Sequence, residues 1–408
     1  MNHSFLRYTR ILLLPVLAVG LVLTGCDSTG SNGGDDSATF EYPSSDYGAE
    51  TVTNLLAFDL GVRVGNAADN SESVLLDRYT GNIDDKTIRA AQTLTTEGQS
   101  VYSDIQGGVD LSSLVSTTAL AQSSQLEAAD SPSAGSPVNT DELLRFYFEQ
   151  AGANDVGPAT SNGIVLNQFA EKMLLGTPIY AEGAAILSDF ANGNVSGNQA
   201  EQWDAAFGYF GFPRSLEPFL DYSGGEEGLS SGPAQDLDGE GVDLTSEYVH
   251  TWAAYAIERS AAAENNGNPN DFARDAFDAL VQGREAIANG ENPADYAETA
   301  LSAWEATVAV NVIHYINSME GNLDGVSGTI GEGDVGEDAW GEAKAFAWGL
   351  QFYSGELTDS QVNAILEDIG NDPPYGEMMA SEYASDLADA TQILQDAYGF
   401  NASNVEAW

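Results

Sequence analysis

The sequence predicts an all-α protein, built as packed helical bundles with long acidic loops. Two observations carry this. Apolar residues recur at helical spacing through Ala-rich segments, and Gly, Pro and Asn break those segments into globular helix lengths. The longest interruptions, 221–244 (DYSGGEEGLSSGPAQDLDGEGVDL) and 321–336 (GNLDGVSGTIGEGDVG), are rich in glycine and acids.

At the N-terminus, Arg7 and Arg10 precede an apolar stretch from Ile11 to Val22. Its length suits the core of a signal peptide and is short for a membrane span. It runs into Leu23-Thr24-Gly25-Cys26, which resembles the lipobox of bacterial lipoproteins. The expectation is a signal peptide over 1–25, acylation of Cys26, and a Gly/Ser/Asp-rich flexible tether over 26–40. The protein is then held at the cell envelope, on the periplasmic or outer-membrane face, with the membrane as a partner through its lipid. Cys26 is the single cysteine, so no disulfide framework forms.

Residues 41–408 read as one all-helical domain, with the 221–244 break leaving open a division into two bundles. Helices are expected over 48–60, 85–97, 111–128, 140–152, 162–175, 178–191 and 197–209, then 245–264, 270–289, 293–320, 337–354, 358–370 and 378–398. Asn139 or Thr140 caps one start, and Pro293 occupies the first position of another. Two segments are faintly alike, Gln202–Phe210 and Ala339–Phe346. Each sets a Trp and an acid ahead of aromatics.

The balance of 13 basic and 63 acidic residues gives a net charge of −50. That makes nucleic acid and anionic membrane surfaces poor partners. Because the acids are spread along the whole chain, they read as a surface adapted to high salt. Only acids in a specific pattern count towards a site.

One pattern does. Asp236-Leu237-Asp238-Gly239-Glu240-Gly241-Val242 through Glu247 fits a calcium loop, with acids at positions 1, 3 and 5, Gly at 6 and Glu at 12. Asp236, Asp238, Glu240 and Glu247 would supply carboxylates, and Val242 its carbonyl. Asp243 at position 8, usually apolar, departs from the template.

A second pattern lies in helix 293–320, which is apolar nearly all round from Leu301 to Ile316. Thr307, Asn311, His314 and Ser318 share one face of it, with Asn317 at the edge. Such a stripe needs partners, in a wet pocket or in a structural network. Of the histidines, only His250 and His314 follow the signal peptide. His250, beside aromatics, reads as a packing residue. No zinc-hydrolase or serine-hydrolase signature is present.

These residues also carry a resemblance. The chain resembles a family of bacterial lipoproteins defined only by a domain of unknown function. It shares Trp203 with Ala206-Phe207-Gly208-Tyr209-Phe210-Gly211-Phe212-Pro213, Asp243-Leu244-Thr245-Ser246-Glu247-Tyr248, Trp304-Glu305, and Ile313-His314-Tyr315-Ile316-Asn317. That family is similar to the imelysin-type lipoproteins, helical bundles linked to iron acquisition and once regarded as peptidases. Their Gly-x-His-x-x-Glu signature becomes Val312-Ile313-His314-Tyr315-Ile316-Asn317 here, with a carboxylate missing at Asn317.

The resemblance implies an imelysin-like fold and a non-enzymatic envelope protein in iron or haem acquisition, partnered by iron-uptake proteins. It implies a pocket around His314, Asn311, Thr307, Ser318 and Asn317, with Trp203, Trp304 and Glu342 nearby. Two alternatives stand beside it. One is a metal-dependent hydrolase using His314 with Glu305 or Glu342. The other is a structural or interaction lipoprotein stapled by calcium.

Overall fold

The structure, a computed structural model, describes residues 38–66, 69, 71–153, 159–220, 234–376 and 378–408. Cys26, the signal peptide, most of the tether and positions 221–233 lie outside the described residues. Among the described residues helices dominate, and the only β pairings are isolated bridges such as Thr96 with Val242. The fold is all-α, as the periodicity requires.

We number the α-helices in chain order. They are α1 (Gly48–Val64), α2 (Glu72–Tyr79), α3 (Thr140–Ala153), α4 (Leu166–Leu174), α5 (Ala181–Ala191), α6 (Gln199–Phe210) and α7 (Glu217–Leu220). After the acidic break come α8 (Thr251–Asn265), α9 (Phe272–Asn289), α10 (Ala294–Leu323), α11 (Glu337–Gly349), α12 (Asp359–Ile369), α13 (Ala380–Tyr398) and α14 (Ala402–Val405).

The long apolar α10 is the central element. It packs against α5 from before the break and against α8, α9, α11 and α13 after it. Likewise α4 packs on both α1 and α11. Helices from the two sides of 221–244 therefore interleave, and Ser37–Trp408 cluster as one compact unit. The two look-alike segments fall on α6 and α11. In each, the buried Trp donates its indole N–H to a carbonyl, Trp203 to Leu280 at 2.7 Å and Trp340 to Ile369 at 3.0 Å.

Two expected helices are absent. Over 85–97 only Ala90–Gln92 makes a short 3₁₀ turn, and over 111–128 only Leu111–Ser113 and Ser123–Gln125 do. The first stretch is dense in Thr and the second in Ser and Thr; their hydroxyls compete for backbone groups, and the β-branch of Thr favours extended chain. Thr87 and Thr96 accordingly form bridges, to Val101 and Val242. Helix α2, in contrast, has no counterpart among the expected segments.

Between α4 and α5 the chain makes a wide π-type turn, Leu175–Tyr180, with Thr177 extended at φ −141° and ψ 124°. Pro178 has no amide to donate, so a straight helix cannot run through it. The carbonyl of Leu175 is taken by the indole of Trp252 at 3.0 Å.

The last turn of α12 is closed by side chains in the same way. Lys344 Nζ donates to the Leu366 carbonyl at 2.8 Å, and Trp340 and Tyr383 both donate to Ile369. A cation there complements the helix dipole. Burial drives the Lys344 ammonium down to about 7, countered in part by Asp372.

Close approach fixes some glycines. A Cβ on Gly283 would fall 2.0 Å from a ring carbon of Trp203. Gly283→Ala is expected to displace that indole from Leu280 and cost about 1–3 kcal/mol, read by urea denaturation. A loss well below that range would show the ring is free to move.

Candidate functional site

The polar stripe of α10 divides when it is placed in the fold. Thr307 and Asn311 are fully buried, while His314, Asn317 and Ser318 are half-buried. Thr307 Oγ1 donates to the Ala303 carbonyl at 2.8 Å, and Ser318 Oγ to the His314 carbonyl at 3.1 Å. Asn317 Nδ2 donates to the carbonyls of Val405 and Trp408 at 2.6 and 3.1 Å, which ties down the C-terminus. His314 lies edge-on to Tyr315, with ring centroids 4.9 Å apart. An α-helical stripe spans several turns, and different neighbours cover its two ends.

Trp203 and Trp304 are core residues. Trp304 is boxed in by Phe210 and Tyr180, at 4.5 and 5.7 Å between centroids. Glu305 is buried too, and its oxygens accept from Ser354 Oγ, Gly355 N, Glu356 N and Tyr398 Oη at 2.8–3.2 Å. Four donors satisfy that carboxylate as a loop clamp, and His314 is not among its partners.

The acidic loop is arranged by its own backbone. Asp236 accepts from Gly239 N at 2.6 Å and Asp238 from Glu240 N at 2.8 Å, both short Asx-type turns. The two oxygens of Glu247 accept from Leu237 N and Asp243 N, each at 3.1 Å. The Val242 carbonyl accepts from Glu97 N at 3.1 Å. Glu240 is exposed. Helix α8 begins at Thr251, so Glu247 does not reach the loop from a helix start as the calcium template requires. Among the described residues no three His, Cys, Asp or Glu side chains gather as metal ligands.

Beside the buried Glu247 stands the half-buried Asp243. Burial would raise its pKa, but bonds from Ser246, Thr245 and Gln99 and the charge of Arg214 bring it below the usual range.

A different place gathers chemistry. A cleft of about 520 Å³ opens where α1, α4, α8, α10 and α11 converge. Its polar lining includes Lys172 and Glu171 from α4, Tyr255 and Arg259 from α8, Tyr315 from α10 and Glu342 from α11. Glu342 thus belongs to a cleft, but beside Lys172 and Tyr315. His314 is not among the lining residues.

Lys172 is the centre of the cleft. Its Nζ lies 3.0 Å from Glu171 and 3.2 Å from Glu342, and the ammonium sits 5.9 Å from the centre of the Tyr255 ring. The phenol oxygens of Tyr255 and Tyr315 are 3.3 Å apart. Burial opposes charge on Lys172, yet Glu171, Tyr255 and Glu342 together hold its pKa above the usual lysine range. Burial lifts Glu342 to about 7, against the pull of Lys172. A carboxyl poised near neutrality beside a charged ammonium and two phenols can bind a polar group or exchange a proton with it.

The stripe does contribute to this cleft, one step removed. Asn311 Oδ1 accepts from Arg259 Nε at 3.0 Å, and Asn311 Nδ2 donates to the Thr307 carbonyl at 2.8 Å. The amide is thereby fixed and aims the guanidinium at the cleft.

Sequence reasoning missed Lys172, Glu171, Tyr255, Tyr315 and Arg259. One signal was available. Lys172 and Arg259 are two of only 13 basic residues, and both sit inside apolar helical runs, FAEKMLL and AAYAIERSAAA. A rare base in such a run needs a buried acid or a ligand.

The chain matches no known protein family, no curated protein and no solved structure. The family resemblance therefore rests on its motifs alone, and three of their residues, Trp203, Trp304 and Glu305, have been placed above as packing and loop-clamping groups.

Proposed function

We propose that this chain is a lipid-anchored envelope protein that binds a small polar organic molecule in the cleft around Lys172. The observation that supports this most is the charge balance there. Arg89, Lys172 and Arg259, three of 13 basic residues, line one opening with Glu171, Glu258, Asp338 and Glu342, whereas the whole chain carries 63 acids. The chain as a whole is overwhelmingly acidic, and the cleft is close to charge-balanced. Envelope anchoring is supported by the lipobox ending at Cys26 and the tether behind it.

Iron handling through haem fits less well. Haem takes an apolar slot and an axial ligand such as histidine, whereas charged side chains ring this cleft and His314 is not in its lining. The calcium loop is no part of this reading; Asp236, Asp238 and Glu247 there accept from backbone amides.

Val62, half-buried on α1, lines the cleft without joining its ion pairs. Val62→Trp is expected to fill the opening and leave the fold intact. Purified wild-type protein, incubated with a small-molecule extract of bacterial cells and desalted, should retain a compound that the variant does not. Equal retention by both, or by neither, would sink the cleft as a binding site. A second reading, an acid–base enzyme, is favoured by Glu342 standing near neutrality beside Lys172. It requires that the retained compound be chemically changed on release.

A further inference from the structure

We infer that Arg259 receives the carboxylate of the cleft's ligand, so that the class bound is a small organic monocarboxylate; this rests on the cleft being a binding site. Arg259 is only 3 % exposed. A buried guanidinium is costly unless its N–H groups find acceptors. Its Nε has one, in Asn311 Oδ1. Among the described residues, the acidic group nearest its two terminal nitrogens is Glu258, 3.8 Å from Nη2. A charge-assisted N–H···O bond closes to about 2.7–2.9 Å, so that pair falls well short of one.

Arg259 lines the cleft, and with Nε occupied by Asn311 its terminal edge is left to grip a carboxylate through two parallel hydrogen bonds. Its Cζ lies 5.9 Å from the centre of the Tyr255 ring. Asn311, itself tied to Thr307, is a positioning residue: it occupies Nε and leaves the fork to the ligand.

The surroundings choose among anions. Glu171, Glu258, Asp338 and Glu342 share the lining, and Tyr315 reaches both Glu342 and the field of Arg259. Each added negative charge on a ligand meets that repulsion again. A single carboxylate draws the full benefit of the fork, while a phosphate dianion is penalised. The same acids favour an amine or hydroxyl elsewhere on the ligand.

The test uses four probes at constant ionic strength: acetate, L-alanine, ethylammonium and inorganic phosphate. In wild-type protein carrying ¹⁵N-labelled arginine, acetate and L-alanine should each shift one arginine side-chain signal saturably, with L-alanine the tighter. Arg259→Lys keeps the charge but loses the fork. It should remove that signal and weaken binding of both carboxylates at least tenfold, while the exposed control Arg274→Gln leaves affinity unchanged.

The wild-type titration stands even if the Arg259 variant fails to fold. Tighter binding of ethylammonium or phosphate would overturn the carboxylate class while the cleft stands as a site. No saturable arginine shift with either carboxylate overturns the role of Arg259, whatever the extract experiment gives. If Val62→Trp also makes no difference to retention, the binding reading falls with it.

Discussion

Asp59→Ala is expected to cost about 3–5 kcal/mol, a large share of the stability of an ordinary protein. Asp59 is completely buried on α1. Arg63 Nε stands 2.8 Å from its Oδ1 as an ion pair one turn along the helix. Arg78 Nε from α2 donates to its Oδ2 at 3.0 Å, and the buried phenol of Tyr102 donates to the same oxygen at 3.2 Å. Removing the carboxylate leaves two nearly buried guanidinium groups facing each other without their shared counter-ion. Breaking a buried pair from one side costs far more than the pair is worth, because the remaining charge cannot return to water. Arg63 has one further acid within reach, Asp69 at 3.5 Å, which is partly exposed and cannot replace Asp59. Urea denaturation of wild type and variant at fixed salt reads the difference. A cost below about 1 kcal/mol would mean that water already reaches the arginines.

Acidification should expose His250 as the second large term. The imidazole is buried at the start of α8, and its Nε2 lies 3.1 Å from the Leu244 carbonyl, with the N–H donating. Burial lowers its pKa from 6.5 to about 4, against the smaller upward pull of that bond and of Asp243. The unfolded chain then takes up a proton between these two values that the folded chain refuses. Stability falls as pH drops through this window, by about 3 kcal/mol in all, and the contribution is flat below it.

Glu342 runs the other way. Its folded carboxyl holds a proton between 4.5 and about 7 that the unfolded chain has released, so it favours the folded state as pH falls through that range. A comparison with His250→Gln cancels this and every other shared term. Between about pH 7 and about pH 4, wild type should lose about 3 kcal/mol more than the variant. Parallel losses in the two proteins would show that His250 protonates freely in the folded state.

Both residues illustrate how legibility divides. His250 as a packing group was readable from its aromatic neighbours, Tyr248 and Trp252, and the ring of Tyr248 does lie 4.9 Å from it. Its role as the residue before a helix was not, because the expected helix began at 245 and the observed one begins at Thr251. Asp59 gave only a local hint, an acid in the apolar run LLAFDLGVRV with Arg63 four residues on, and nothing pointed to Arg78. Asp59 is one of 63 acids, and that hint does not separate a carboxylate that meets two arginines from one that meets water.

The calcium template illustrates the converse. The oxygen donors have the right spacing, but spacing is silent on which groups they meet; in the fold Glu247 accepts from Leu237 N and Asp243 N.

By itself the sequence determined the all-α class, the order of the periodic helices and the burial of α10. Those follow from short-range rules, the helical repeat and the breaking power of Gly and Pro, which act within a few residues. The charge balance and the lipobox-like start belong to the same level, because composition and contiguous motifs need no fold. Tertiary structure alone decided which charges meet. Lys172 and Glu342 are 170 positions apart in the chain, yet their side chains lie 3.2 Å apart. Arg259 and Asn311 come together from different helices. A buried ion pair depends on desolvation and on a distance of a few ångströms, and both are set by how helices cross.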